Sequence, residues 1–116
     1  MELLLAHLVG DYFLQSHWMA NEKTKRWFPA ILHGLTYTLP FLFLTQDLIK
    51  LSIICLTHIV IDRFRLANYI AKIKNWNWKT ENGYPEETPA WLWVWLMIIT
   101  DNTIHLLINY LALNFN

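Results

Sequence analysis

Residues 89–113 read PAWLWVWLMIITDNTIHLLINYLAL. The run is almost wholly apolar and opens on Pro89, a residue suited to the first turn of a helix. At about 1.5 Å per residue, a helix of this length crosses the roughly 30 Å hydrocarbon core of a bilayer. No period-two alternation is present, which argues against a strand. Yet the run carries Asp101 and His105 at i, i+4 spacing, on one helix face. An aspartate at that depth costs roughly 2.5–3.5 kcal/mol unless something compensates it. A long apolar helix with a His–Asp pair inside it sets the reading of the rest of the chain.

Outward from this stretch the combination recurs. Met1 to about Ala20 is apolar and contains His7 and Asp11. Pro29–Thr45 contains His33, and Leu48 to about Ile73 contains His58 and Asp62. Helices are therefore predicted over about 1–20, 29–45, 48–73 and 89–113, in a single transmembrane helical domain spanning 1–116. The fold class is all-α, a four-helix integral membrane bundle around a polar His/Asp cavity. Pro40 should kink or thin the end of the second helix. Gln46-Asp47 offers a cap for the third, and Asn82-Gly83-Tyr84-Pro85 supplies turn chemistry before the fourth. The first block is not a cleaved leader, because it lacks a basic opening and holds His7 and Asp11 within its apolar run.

Composition agrees. Of 116 residues, 55% are hydrophobic and 16% charged, with nine basic and nine acidic side chains and a net charge of zero. Disorder is excluded by the hydrophobicity, and a nucleic-acid partner by the missing basic excess. One cysteine, Cys55, allows neither an intrachain disulfide nor a cysteine-based zinc site. The charges are also sided. Lys23, Lys25 and Arg26 follow the first block, while Arg63, Arg65, Lys72, Lys74 and Lys79 surround the end of the third, leaving Lys50 for the opposite side. The positive-inside rule then makes the loops between helices one and two and between three and four cytoplasmic, with both termini outside. Trp18, Trp27, Trp76, Trp78, Trp91, Trp93 and Trp95 flank the same two loops, as an interfacial aromatic belt does. The lipid bilayer is thus the expected partner of a multi-pass protein, and a homo-oligomer is open.

Three unpaired aspartates in a bilayer would cost about 8–10 kcal/mol, comparable to a domain's whole stability, so they must face inward and be compensated. Counting at about 1.5 Å per residue places the seven groups roughly 6–22 Å below the outer surface, a spread that helix tilt can absorb. Gly10 beside Asp11 and Gly34 beside His33 permit close helix approach there. Four imidazoles and three carboxylates suit a transition-metal site. His7, Asp11, His33, His58, Asp62, Asp101 and His105 are the candidate ligands, for one or two divalent metals among zinc, manganese and iron. Seven exceed what one tetrahedral zinc needs, which favours two ions sharing a carboxylate. The rival is a proton relay, which also uses intramembrane His and Asp. His17 reads as an interfacial residue, Cys55 as a small core hydrophobe, and Lys23, Arg63 and Arg65 by default as anionic-lipid contacts.

The strings His7-Leu-Val-Gly-Asp11-Tyr-Phe-Leu-Gln15 and Trp18-Met19-Ala20 with Lys23, then His33 with Tyr37, His58-Ile-Val-Ile-Asp62 with Arg65, and Asp101 with His105, keep a recognisable order. They resemble the bacterial and phage membrane family catalogued as domain of unknown function 3307. Asn102 stands where a glutamine is expected and Arg65 where lysine is common. The layout is similar to a broader group described as membrane-bound metal-dependent hydrolases. The resemblance implies a bacterial or host inner membrane and a metal-dependent hydrolase. In that reading Asp62, Gln15 and Arg65 are the catalytic set. Gln15 orients the substrate or a ligand, and Arg65 with Lys23 steadies an anionic group, so a phosphoester or lipid headgroup is the expected substrate class. The other expectations are a metal or proton transporter or channel subunit, and a non-catalytic phage membrane effector.

Overall fold

A computed structural model of the chain describes residues 1–114, and among these every regular element is helical. Two compact units are present. One comprises Met1–Phe64 and the chain from His105 onward, the other Arg65–Ile104.

In the first unit, α1 spans Glu2–Leu8, with Glu2 in its first turn where a negative charge complements the helix dipole. The chain then widens into a π turn at Val9–Phe13, closed by Leu14 N–H donating to the Val9 carbonyl at 2.9 Å. Gly10 sits in this turn because nothing larger fits: a Cβ there would lie 2.6 Å from the Tyr37 carbonyl oxygen. The helix expected over 1–20 is therefore interrupted. Ser16 is extended, and its Oγ accepts from Met19 N–H at 3.2 Å to start a separate α2, His17–Glu22. A serine N-cap satisfies an otherwise orphaned donor, which favours a new helix start at that position.

Helix α3 covers Trp27–Thr38. Pro29 falls in its first turn, where a missing N–H has no consequence. Pro40 then blocks continuation of the i→i−4 ladder, and the chain tightens into a 3₁₀ turn at Leu39–Phe43. Asp47 Oδ1 accepts from Ile49 N–H at 2.9 Å and opens α4, Leu48–Phe64. Helices α3 and α4 pack along one another, with Gly34 in close contact with Ile59. Ala6, Tyr37, Phe41, Leu51, Ile54 and Ala112 form the apolar part of the core.

The third predicted helix, 48–73, is also divided. Arg65 adopts left-handed backbone (φ 52), and α5 follows at Leu66–Asn75. Trp76, again left-handed, ends α5 while Asn77 N–H returns to the Lys72 carbonyl at 3.0 Å. In the loop beyond, Gly83 has φ 80, and a Cβ on it would meet Lys72 N at 2.5 Å. Asn82 Oδ1 accepts from Tyr84 N–H at 2.8 Å, and Asn75 Nδ2 donates to the Gly83 carbonyl at 3.1 Å.

Helix α6, Ala90–Leu113, contributes residues to both units. Among the described residues it is the helix long and apolar enough, by length and composition, to cross a membrane.

Beside the apolar core lies a second, polar one. The residues most completely buried include His7, His33, His58, His105 and Asn109. Phe43 is 94% exposed, Leu48 77% and Phe13 75%. Soluble domains bury charge rarely and only when it is paired.

Candidate metal centre

The site is assembled by the first unit. Asp11 is held by the π turn, His33 by the middle of α3, and His58 and Asp62 by one face of α4 at i, i+4 spacing. All four are buried, and each offers a ligand atom within 4.8 Å of the others. His33 Nε2 lies 3.1 Å from Asp11 Oδ1 and 3.4 Å from Asp62 Oδ2. His58 Nε2 lies 3.1 Å from Asp62 Oδ2 and 3.9 Å from Asp11 Oδ1.

These separations suit a shared cation. Nitrogen and oxygen ligands about 2.0–2.2 Å from a tetrahedral ion stand roughly 3.3–3.6 Å apart. The His58 ring adds a second observation. Neither of its nitrogens makes a hydrogen bond, although the ring is 1% exposed. A buried imidazole that faces carboxylates without an aligned hydrogen bond forgoes free energy that a metal ion would recover. His33 Nδ1 is likewise buried without a hydrogen bond. The donor set, two imidazoles and two carboxylates, fits zinc, iron or manganese.

Asp62 is the hub. Its Oδ2 faces His33 and His58, while its Oδ1 lies 3.5 Å from His105 Nε2. Lys23, from the C-terminal end of α2, places Nζ 2.8 Å from Oδ2. The rings continue the cluster: His58 lies 4.4 Å from His105, and His105 stacks at 5.7 Å on His7, centroid to centroid. Tyr37 stacks on His58 at 3.6 Å. The Tyr37 hydroxyl lies 2.8 Å from His7 Nδ1 and accepts from Asn109 Nδ2 at 2.6 Å.

Of the seven candidate ligands, Asp11, His33, His58 and Asp62 thus share one centre, with His105 at its edge. His7 joins through Tyr37 and the His105 ring. Asp101 is half-buried on α6, one turn before His105. Gln15 lies in the break before α2 and carries a buried Oε1 that makes no hydrogen bond. Arg65 belongs to the second unit, where its Nη1 donates to Glu81 Oε1 at 3.0 Å. Arg63, read as a lipid contact, instead donates to the Thr24 carbonyl at 2.9 Å and stands over the Trp27 ring at 5.1 Å.

Tyr37 and Asn109 are absent from the predicted set. Both follow a clustered histidine by one helical turn, His33 to Tyr37 and His105 to Asn109, so the i, i+4 rule that exposed the His–Asp pairs also pointed to them.

Comparison with curated proteins and with solved structures finds no match. The order of the buried groups along the chain, from His7 and Asp11 through His33, His58 and Asp62 to His105, falls within a family match over residues 1–108: the chain belongs to the family described as protein of unknown function DUF3307.

Proposed function

We propose that the chain is a membrane-embedded metal-dependent hydrolase, with Asp11, His33, His58 and Asp62 holding a divalent ion. The observation that carries this reading is the convergence of these buried ligand atoms within 4.8 Å. His105, on the far oxygen of Asp62, gives that carboxylate a second face on which another ion could share it. A divalent metal there supplies Lewis acidity and activates water at neutral pH. The chain's own residues do the rest. Asp62 orients the imidazoles, Tyr37 fixes the His58 ring by stacking, and Lys23 offers a positive charge beside the centre. That charge favours an anionic substrate, a phosphoester or a lipid headgroup.

The multi-pass topology is part of this proposal. It is supported by the apolar α6 and by the burial of four histidines and two aspartates while large apolar side chains such as Phe43 and Leu48 stand exposed. The one-sided lysines and tryptophans orient it, with the first and third loops cytoplasmic.

Metal analysis of the detergent-purified protein tests the centre. One or two equivalents of zinc, manganese or iron are expected, and His58→Ala combined with Asp62→Ala should abolish uptake. Protein free of metal after purification and after reloading would refute it. A second reading, proton or metal transport, is favoured by the file of rings from His33 through His58 and His105 to His7. Flux across proteoliposomes without phosphoesterase activity would select it.

A further inference from the structure

Lys23 occupies an unusual place. Its side chain is 15% exposed, and its ammonium lies 2.8 Å from an oxygen of the Asp62 side chain, which is 4% exposed. The same oxygen is 3.1 Å from His58 Nε2 and 3.4 Å from His33 Nε2. An ion held by those three groups would share its carboxylate oxygen with the lysine. Two cations at that separation repel strongly in a poorly screened interior. We propose that Lys23 is an internal stand-in for the metal: its ammonium neutralises Asp62 while the centre holds no divalent ion, and it withdraws when one binds. This rests on the metal reading and adds to it a built-in competitor that sets the affinity of the centre.

The surroundings suit such an exchange. Lys23 ends the six-residue helix α2, and its flexible stem can swing without moving the backbone. The adjoining backbone is anchored, because Arg63 Nη1 donates to the Thr24 carbonyl at 2.9 Å. The side chain can therefore move while its attachment stays fixed. Even with one imidazole protonated, the two buried carboxylates of a centre lacking both metal and lysine would keep an excess of negative charge. Lysine supplies one positive charge and a divalent ion supplies two, so the exchange improves the balance. The released ammonium stays beside the centre, where an anionic ligand would meet it.

The test uses full-length protein in detergent, with zinc as the probe and affinity measured by chelator competition. Lys23→Gln should bind zinc at least about tenfold more tightly than the parent, the scale of one close buried charge pair, at unchanged stoichiometry. Lys23→Arg should keep the parent's weaker affinity. Equal or weaker binding by Lys23→Gln, with the parent binding normally, would overturn the exchange and leave the metal centre standing. No binding by parent or variant would remove both. Unsubstituted protein gives an independent readout should the variants fold poorly. Acylation of Lys23 by an amine-reactive reagent, followed by mass spectrometry, should rise several-fold on adding zinc, and a yield insensitive to zinc overturns the proposal.

Discussion

The Tyr37 hydroxyl lies 2.8 Å from a His7 nitrogen and 2.6 Å from the Asn109 amide. Three buried polar groups from α1, α3 and α6 meet at this one oxygen. Tyr37→Phe keeps the ring that stacks on His58 and deletes only the oxygen. The loss of a partner for two buried groups should cost about 1–3 kcal/mol in thermal or denaturant unfolding. A Tyr37→Phe protein as stable as the parent would show that these contacts carry no net energy. Asn109→Leu in the same background should cost less than in the parent, because its hydrogen bond is already gone. Tyr37 also marks how far the sequence could be read at this scale. His33, His58 and Asp62 were conspicuous because a charge in an apolar run has to be explained. A tyrosine or an asparagine in such a run raises no such demand, so although each stands one turn after a clustered histidine, their hydrogen bonds emerge only with the structure. Arg65, expected with Lys23 to steady an anionic group, has left-handed backbone before a new helix, and its guanidinium meets Glu81.

Among the elements, the apolar blocks were legible because bulk hydrophobicity is a sum over many residues. The breaks inside them were not, because each turns on one residue and one backbone bond. Ser16 restarts a helix with a single side-chain cap, and Arg65 divides another with a single positive φ. The π turn at Val9–Phe13 matters most, since it brings Asp11 to His33 on α3. Its fit against α3 depends on Gly10, where an added Cβ would meet the Tyr37 backbone oxygen. Gly34 is crowded by the Ile59 side chain instead, at Cγ1, the root of a β-branched chain with one strongly preferred rotamer in a helix. Gly10→Ala should therefore destabilise by about 1–3 kcal/mol, the usual cost of overpacking, and should weaken metal binding by displacing Asp11. Gly34→Ala should cost as much in stability, by parting α3 from α4, and leave Asp11 in place. Zinc affinity unchanged in Gly10→Ala would show that the π turn does not position the ligand.

Across the whole molecule, the proposed bilayer setting rests on the distribution of polarity. The buried groups include Asp11, Asp62 and the clustered histidines, while Leu56, Leu107, Leu111 and Trp91 are each at least 59% exposed. Large contiguous apolar surface is rare on soluble monomers and is the rule against lipid. The zero net charge conceals the same division, since two of the nine acids sit in the candidate metal centre and eight of the nine basic residues flank the two loops read as cytoplasmic. A substitution on the outer face separates the two environments. Leu56 lies midway along α4 and is 62% exposed. In water, Leu56→Lys at such a position should change stability by no more than about 0.5 kcal/mol. Facing hydrocarbon, the same lysine should carry an insertion penalty of roughly 2.5–3.5 kcal/mol, reduced where the side chain can reach a headgroup. The measurement is the fraction of chain resisting alkaline extraction from membranes. The parent should remain in the pellet and Leu56→Lys should lose a large part of it to the supernatant. If the parent itself were released by alkali and high salt, the apolar exterior would have to be covered by protein, and the membrane reading would fall while the buried centre could remain.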